Sequence, residues 1–431
     1  MVIMEQKKLI VLFLLSLLIF AFCKSGGQGN SGTFNEKTES VNPSSEKKEE
    51  NITNKEEITI GMKSEDLLAG IKDKNGDVRA NAISTSVKSQ DPNILQTLII
   101  SLKDEYWKVR LAAVKALSEF RNDKAINPLI DVLKDENSEV RIEAARSLGL
   151  KRNIKAVEPL LETLQNDKDS DVRCAVLKSL GEIKNIKTVE PLIATLNDDS
   201  QCVRSSAIWA LGEIKDLKAI EPLINQLRVV DYNSRKDVIQ ALHKIGTSAI
   251  QLLILALKDE DWKVQQGSVE VLGKIGDIQA VKSLMDISKD EDWKVRAAAA
   301  EALGEIQDTR ATGLLISMLK DEQANVRFHS ARDLDYLEDP RANKPLMECL
   351  EKEDFAVIAG ACRFFIQVGK KNSEKVLIEA LNRYFENEIS SYFYNSGNKK
   401  LEKAASTMAK KYGLSLGIIL DFNPYRWGYK R

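Results

Sequence analysis

The sequence predicts an all-α fold, a right-handed α-solenoid of about ten helical hairpins that each span about 31 residues. Three observations lead to this prediction. Lys, Glu, Leu, Ile and Ala are abundant and the 431 residues include only 9 prolines, a composition that favours helix. One arginine position recurs along the chain at a nearly constant interval. Apolar residues recur around that arginine at helical spacing, which indicates one buried stripe per helix.

The recurring arginines set the period. They are Arg79, Arg110, Arg141, Arg173, Arg204, Arg235, Arg296 and Arg327. Neighbouring members are 31 or 32 residues apart, except for one double interval in which Gln265 takes the expected place, and Ile358 continues the series. In most repeats an Asp precedes the arginine by six residues, a Val by one, and a Leu follows it by seven. Such a long series indicates one structural unit repeated in tandem.

Further columns predict where each helix begins and ends. Candidate N-caps stand four residues before the arginine, at Asn137, Asp169, Ser200, Asp261, Asp292 and Asp354. A glycine column follows the Leu, at Gly149, Gly181, Gly212, Gly273 and Gly304, where it is expected to ease the exit from the helix. Prolines in a first helical turn, at Pro128, Pro159, Pro191 and Pro222, indicate the start of a second helix. Each repeat is therefore predicted to be two antiparallel helices of about 12 residues.

These columns resemble the HEAT-like repeats grouped with the phycobilisome lyases, over about residues 62–382. The motif reads Asp135, Val140-Arg141, Ala144-Ala145 and Leu148-Gly149, and then Pro159-Leu160. The resemblance implies an armadillo-type superhelix in which the Val-Arg helix is the second of each pair and lines the concave face. It also implies a structural ladder of Asp and Arg side chains between successive repeats. The ladder residues in this sequence are Asp104, Arg110, Asp135, Arg141, Asp167, Arg173, Asp198, Arg204, Asp290, Arg296, Asp321 and Arg327.

Residues 1–22 are predicted to be a signal peptide, because Lys7 and Lys8 precede an apolar run from Leu9 to Phe22. That run is shorter than the roughly 20 residues a transmembrane helix needs. It ends at Cys23, and the segment resembles the lipobox of bacterial lipoproteins, although Phe22 stands where that pattern has a small residue. The resemblance implies lipidation of Cys23 and a place in the bacterial cell envelope, on the extracytoplasmic side. An uncleaved membrane anchor and simple secretion are the alternatives.

The rest of the chain is predicted to form three segments. Residues 23–58 carry the lipidated Cys and a polar, disordered tether that has too little apolar surface to fold. Residues 59–382 form the repeat solenoid. Residues 383–431 are rich in aromatic side chains and are interpreted as a cap over the open face of the last repeat. An aromatic docking site for a partner is the alternative for this last segment.

Composition and motifs limit the classes of function. The 63 Lys and Arg residues are balanced by 64 Asp and Glu residues, a net charge of −1, so no nucleic-acid partner is expected. Only His243 and His329 are present, and neither precedes a Glu, unlike the His-Glu pairs that hold two irons in deoxyhypusine hydroxylase, a protein of the same repeat superfamily. No phosphate-binding, HExxH or GxSxG motif occurs. We therefore predict no catalytic residues, no metal and no cofactor.

The four internal cysteines, Cys174, Cys202, Cys349 and Cys362, are interpreted as small apolar core residues. A Cys174–Cys202 or a Cys349–Cys362 disulfide remains an open alternative in an oxidising compartment, since spacing alone does not establish the geometry.

The candidate binding residues stand five positions after each arginine, on the side of the helix expected to face away from the core. They are Lys115, Arg146, Lys178, Trp209, Gln240, Glu270, Glu301 and Arg332, with Arg363 next in the series. The column changes from basic through aromatic to acidic and back to basic. Trp209 is expected to be exposed, and exposed Trp is enriched at binding hot spots. A solvated face of no special function is the alternative.

A second aromatic series consists of Trp107, Trp262 and Trp293, each followed by Lys-Val in the first turn of the same helix. Packing within the repeats is the preferred interpretation, and binding is the alternative. Taken together, the sequence predicts a membrane-tethered lipoprotein whose concave face binds a protein or peptide. A structural element of envelope assembly is a first alternative, and a lyase-like or other enzyme on the same platform is a second.

Overall fold

The computed structural model describes residues 69–86, 92–120, 123–229, 232–384 and 387–413. These residues fall in one compact unit, Met62–Arg431. The predicted signal peptide, Cys23 and the tether lie outside the described residues, as does the chain beyond residue 413. The predicted division into segments therefore stays a prediction.

The described residues form helices and turns without a strand, as the sequence predicts. The helices are α1 (Gly76–Ser86), α2 (Pro92–Ser101), α3 (Trp107–Glu119), α4 (Ile126–Asp131), α5 (Ser138–Lys151), α6 (Val157–Asn166), α7 (Ser170–Ile183), α8 (Val189–Ala194), α9 (Gln201–Ile214), α10 (Ile220–Gln226), α11 (Tyr232–Ile245), α12 (Ile250–Ala256), α13 (Trp262–Ile275), α14 (Val281–Ile287), α15 (Trp293–Ile306), α16 (Thr312–Met318), α17 (Ala324–Leu337), α18 (Asn343–Glu351), α19 (Phe355–Gly360), α20 (Cys362–Val368), α21 (Glu374–Arg383), α22 (Asn387–Tyr394) and α23 (Lys399–Tyr412).

From α2 onward, each even-numbered helix up to α18 is the first helix of a repeat, and we term these the A helices. Each odd-numbered helix from α1 to α17 carries the recurring arginine or, in α13, Gln265 in its place, and we term these the B helices. Most B helices contain 14 residues, whereas the A helices are shorter, and many begin with a 3-10 turn. The segment Asp123–Ala125, for example, is a 3-10 turn that leads directly into α4, and another 3-10 turn, Val132–Lys134, follows α4. An A helix approaches the predicted length of about 12 residues only when the 3-10 turns at its ends are counted with it.

The helices stack in chain order as two layers. Neighbouring B helices pack closely along their lengths, while neighbouring A helices make far fewer contacts with one another. The B helices are therefore the more tightly packed of the two layers. The core lies between the layers and contains the apolar columns, with Leu117, Leu148 and Leu180 of the B helices fully buried.

The candidate N-caps behave as predicted with one exception. The side chains of Asn137, Asp169, Asp261, Asp292 and Asp354 accept hydrogen bonds from backbone N–H groups in the first turn of their helices. Ser200 occupies the N-cap position of α9, but its hydroxyl accepts no such bond. The prediction of a side-chain cap was wrong for Ser200.

The role predicted for the glycine column was also wrong. The residue that leaves the helix in the left-handed conformation comes three positions later, as at Arg152, Lys184 and Lys215. The glycines instead lie where two B helices approach most closely: a Cβ on Gly149 would come within 2.8 Å of the Cα of Ser179. At Gly212 the same distance to the Cα of Ala241 would be 2.8 Å. Glycine is needed here for the contact between neighbouring repeats.

The C-terminal helices cover the end of the array. After α18, the helix that takes the place of a B helix is broken at Ala361 into α19 and α20. Helix α21 packs against α19. Helix α22 contacts α20, and α23 packs against α21 and α22. Phe393 of α22 is fully buried, and the ring of Tyr384 stacks on Phe328 with 5.8 Å between centroids. These two aromatic residues therefore contribute to packing at the end of the solenoid.

One described stretch, Ser234–Ala256, is long and apolar enough to cross a membrane by length and composition. It comprises most of α11, the 3-10 turn Gly246–Ala249 and all of α12. Val238, Leu242, Ile250 and Leu253 in this stretch lie in the core between the two layers. The apolar character of this stretch is explained by its packing in the core of two neighbouring repeats.

Candidate binding face

The side of each B helix that faces away from the A layer is the candidate binding face. In α3, Val109, Ala113 and Leu117 are buried at helical spacing, and Lys115 projects from the opposite side of the helix. The residue five positions after the recurring arginine lies on this side of each B helix, and together these residues form a column along the array. We term it the inner column.

The first part of the inner column is basic and open to solvent. Lys115, Arg146 and Lys178 are exposed. Within the described part of the chain, Lys115 and Lys178 form no ion pair, and Arg146 has only a long contact of 4.0 Å to Glu143. Three successive B helices thus present cations to solvent, and Lys115 and Lys178 have no carboxylate partner among the described residues.

Trp209 occupies the middle of the column and is partly exposed, so it is less accessible than the sequence predicts. Its ring lies across α7, where a Cβ on Gly181 would meet the ring carbon Cζ3 at 2.7 Å. The Lys244 ammonium lies 5.7 Å from the ring centroid, and it also forms an ion pair with Glu213. Trp209 therefore joins neighbouring repeats and leaves one part of its ring for contact with a partner.

The second part of the column is engaged within the protein. Gln240 is exposed. Glu270 forms an ion pair with Arg235 at 3.6 Å, and Glu301 forms one with Arg332 at 3.0 Å. The sequence placed these charges on one face, and the structure shows that neighbouring repeats neutralise them.

Burial shifts the ionisation of this second part. Burial raises the pKa of the Glu270 carboxyl, with Arg235 acting in the opposite direction, and burial likewise raises the pKa of Glu305. Burial, with a smaller contribution from Arg332, lowers the pKa of His329. Burial thus disfavours the charged form of each of these three groups.

Two buried carboxyls in α17 were not among the predicted residues. Asp333 is only 2% exposed, and burial raises its pKa well above the ordinary range. Burial also raises the pKa of Asp335 to about 7, although Arg363 opposes this shift from 3.9 Å away. Asp335 stands in the glycine column and Asp333 in a column of Ala and Ser, so this departure from the repeat was a signal in the sequence.

The arginine side chains form rungs between successive repeats. In six repeats the guanidinium contacts an Asp of the following repeat and also donates to the backbone carbonyl of the Asp in its own repeat. The rungs are Arg79–Asp104 (2.7 Å), Arg110–Asp135 (2.7 Å), Arg141–Asp167 (2.7 Å), Arg173–Asp198 (3.1 Å), Arg296–Asp321 (2.8 Å) and Arg327–Asp354 (2.8 Å). These side chains are largely buried and lie in the stacking interface, away from the inner column.

The series of rungs is interrupted around α11. Arg204 donates to the carbonyls of Asp198 and Asp199 and has no carboxylate partner among the described residues. Arg235 turns to Glu270, and Gln265 makes only a 3.4 Å contact with Asp290. The middle of the solenoid thus lacks the Arg–Asp rungs of the repeats on either side, and the Arg235–Glu270 and Lys244–Glu213 ion pairs join its repeats instead.

The second Trp series lies at the first residue of α3, α13 and α15. Trp107 and Trp293 are partly buried and pack against the core. The ammonium of Lys294 lies 3.9 Å from the ring centroid of Trp262 in the preceding repeat. These contacts join neighbouring repeats, in agreement with the packing interpretation.

Cys174 of α7 and Cys202 of α9 form a disulfide, with their Cα atoms 6.1 Å apart. This separation is within the range that a disulfide spans. Cys349 and Cys362 are free. Of the two pairings that the sequence left open, the structure contains the first, and it joins two neighbouring B helices.

The described residues contain no group of three or more His, Cys, Asp and Glu side chains placed to hold a metal ion. His243 lies on α11 and His329 on α17.

The arrangement defines the class of protein, an α-solenoid of tandem helical hairpins. The chain belongs to the HEAT-repeat family, because the family model for HEAT repeats matches residues 64–149, 126–212, 189–259 and 250–327. These matches together span more than half of the chain. The resemblance inferred from the Asp, Val-Arg and Leu-Gly columns is thereby confirmed. No curated protein matches the chain in sequence.

Solved structures share this fold at low sequence identity. Kap121p bound to Nup53p has a TM-score of 0.59 at 14% identity, over 84% of this chain and 46% of Kap121p. Kap121p bound to the extreme C-terminus of the protein phosphatase Cdc14p has a TM-score of 0.54 at 16% identity, over 83% and 51% of the two chains. This chain thus spans about half the length of Kap121p. The CpcE–CpcF complex of phycocyanin lyase from Nostoc sp. PCC7120 is 22% identical over 53% of this chain and 94% of that one, with a TM-score of only 0.30.

Proposed function

We propose that the protein is an interaction scaffold whose inner column binds an acidic segment of a protein partner. The observation that carries this proposal is the row of three exposed cations, Lys115, Arg146 and Lys178, on successive B helices, of which only Arg146 contacts a carboxylate, at 4.0 Å. In α3, α5 and α7 the arginines of the ladder are paired with aspartates, so the exposed cations of these three helices that remain available to a partner lie in the inner column. Complementary charge speeds encounter and fixes orientation.

The shape of the array supports binding along an extended line. Stacked repeats give each B helix one open side, and a partner in extended conformation contacts several repeats in turn. Structures of Kap121p, a solenoid with the same fold, hold segments of other proteins. Partly buried Trp209 lies directly beyond the three cations and would supply an apolar contact at the end of the basic part.

We further propose that the protein acts in the cell envelope, anchored by a lipid on Cys23. The apolar run before Cys23 and the polar tether after it support this location. The Cys174–Cys202 disulfide supports it independently, because disulfides persist in oxidising compartments and are rare in the cytosol. Metabolic labelling with a fatty acid tests the anchor: wild type should incorporate the label, and Cys23→Ser should not.

Site-specific photo-crosslinking tests the binding face in the full chain in its native envelope. A photoreactive residue at position 115, 146 or 178 should capture the same partner. The same residue at position 158, 190 or 221, which are exposed on A helices, should not capture it. Equal capture from both faces, or capture from the A helices alone, would contradict the proposal.

Reversing the charge of the three inner-column cations is a second test of the binding face. Lys115→Glu, Arg146→Glu and Lys178→Glu together should abolish capture, since the partner segment is acidic. The matched control reverses Lys258, Lys282 and Lys344, which are exposed in or directly after A helices. Capture that survives the first set, or is lost equally with the second, would refute an acidic partner on the inner column.

A further inference from the structure

Three consecutive turns present a large aliphatic side chain to solvent. They connect α5 to α6, α7 to α8 and α9 to α10, and all three lie on the same edge of the solenoid. Ile154 is 68% exposed, Ile186 68% and Leu217 59%. Leu150, in the last turn of α5, is 69% exposed and adds to the first of them. We term the three turns, residues 152–155, 184–187 and 215–218, the aliphatic edge.

The fold itself does not require aliphatic residues at this position. The residue before the aliphatic one caps the 3-10 turn. The side chains of Asn153, Asn185 and Asp216 each accept a hydrogen bond from the backbone N–H two residues later. In other repeats the equivalent position carries Asp123, Thr247, Thr309 or Pro340. Exposed apolar residues gathered on one surface indicate contact with something outside the chain.

Each turn of the edge also places a basic side chain on both sides of the aliphatic one. These basic residues are Arg152, Lys155, Lys184, Lys187, Lys215 and Lys218, and all are exposed. Carboxylates engage three of them: Glu182 pairs with Arg152, Glu213 with Lys184 and Glu190 with Lys218. Lys155, Lys187 and Lys215 have no side-chain partner within the described residues. The isolated aliphatic residue of the same column, Ile278, lies between Asp277 and Gln279 and lacks these cations.

We propose that the aliphatic edge lies on the surface of an anionic lipid membrane. Aliphatic tips that project from an edge can insert between lipid headgroups without a shaped pocket, while the adjacent lysines attract anionic lipid. Neighbouring repeats in helical packing are about 10 Å apart, so the three turns form a row rather than a single point. An acidic protein would have to offer three pockets at that spacing. The contact involves residues remote in sequence from Cys23, so it is independent of the lipid anchor and would orient the solenoid.

Hydrogen exchange of the full chain on vesicles tests this contact. Vesicles of phosphatidylcholine with about 30% phosphatidylglycerol provide the anionic surface, and pure phosphatidylcholine vesicles provide the neutral control. Exchange in residues 152–155, 184–187 and 215–218 should slow severalfold on the anionic vesicles only. The turn at residues 276–279 should not change, since Ile278 lacks the flanking cations.

Two sets of variants make the test specific. Ile154→Thr, Ile186→Thr and Leu217→Thr together place at each position the residue that the chain itself uses at Thr309, and Lys155→Gln, Lys187→Gln and Lys215→Gln remove the unpaired cations. Each set should abolish the protection, whereas Ile278→Thr should leave it intact. Equal exchange on both vesicle types, or protection that survives both sets, would overturn the proposal. Protection by polyglutamate but not by anionic vesicles would overturn it in favour of an acidic protein partner.

Discussion

The repeats before and after α11 stack in the same way but handle charge differently. In α3, α5 and α7 the cations of the inner column are exposed, and each of these helices carries an arginine whose carboxylate partner lies in the next repeat. In the half after α11 the carboxylates of the inner column are paired, Glu270 with Arg235 and Glu301 with Arg332. Two buried carboxyls of α17 also stand inside the stack, where most repeats have small residues. The same helical frame thus supports an open, charged surface in one half and a closed polar cluster in the other.

The interruption between the two halves coincides with loss of the ladder. Around α11, Arg204 lacks a carboxylate partner among the described residues, and Gln265 replaces an arginine. A buried ion pair contributes modestly when intact, but loss of one partner leaves a desolvated charge behind. Loss of one partner should therefore be costly at each intact rung, whereas at the interruption Arg235–Glu270 and Lys244–Glu213 supply the ion pairs between repeats.

The largest effect should come from breaking one rung of the N-terminal half. Arg141→Ala leaves the Asp167 carboxylate, which is 9% exposed, without its cation and should lower the free energy of unfolding by about 3 kcal/mol. Arg204→Ala is the matched control, because Arg204 contacts only backbone carbonyls among the described residues, and it should cost about 1 kcal/mol. Urea denaturation of both variants measures the difference; equal losses would mean that the carboxylate partner contributes nothing.

A methyl group at a helix contact should be the next most costly change. The Cβ of Gly212→Ala would lie 2.8 Å from the Cα of Ala241, so the two helices must move apart, at about 2 kcal/mol. Gly313→Ala is the control, since nothing lies within 4 Å of its Cβ, and should stabilise α16 by roughly 0.5 kcal/mol. Thermal denaturation measures both the expected loss of stability in Gly212→Ala and the expected gain in Gly313→Ala. A neutral Gly212→Ala would show that the B helices are not in close contact.

The buried carboxyl of the C-terminal half should give it a distinctive pH dependence. Since the pKa of Asp335 is raised to about 7, the folded state holds a proton that the unfolded state has already lost. Its contribution to stability should therefore fall as pH rises from about 4 to 7. Asp335→Asn should gain stability over wild type across this interval, by roughly 2 kcal/mol in urea titrations.

Asp198 provides the contrast from the N-terminal half. Burial acts to raise the pKa of Asp198, but the Ser200 N–H and Arg173 outweigh it and lower that pKa. A lowered pKa gives stability that is lost as pH falls below about 4. Asp198→Asn should therefore differ most from wild type at neutral pH and least in acid. The same pH profile for both variants would remove the distinction between the halves.

The smallest effect should come from repairing the ladder. Gln265→Arg introduces a guanidinium opposite Asp290, which now receives only a 3.4 Å contact from Gln265. The new rung should add about 1 kcal/mol and slow hydrogen exchange in α13 and α15. Gln240→Arg, on the exposed inner column, controls for added charge and should leave exchange there unchanged. Exchange that slows equally in both variants would exclude a local rung.

Much of this architecture follows from the sequence, because each repeat meets nearly the same local environment. The helical spacing of Val109, Ala113 and Leu117 already identifies the buried stripe, and the caps at Asn137 and Asp169 depend on backbone groups two residues away. Local interactions of this kind leave a readable pattern. The family, the helical hairpins and the basic part of the inner column could therefore be predicted from the amino-acid sequence alone.

The stacking of one repeat on the next was decided only by tertiary structure. That Gly181 lies beneath Trp209, that Cys174 meets Cys202 and that Glu301 pairs with Arg332 depend on the offset between neighbouring B helices. A period records which residues are equivalent, but it does not record how far successive repeats are rotated and shifted against each other. The sequence by itself thus determined the repeating unit, while packing between units decided which charges remain free to bind a partner.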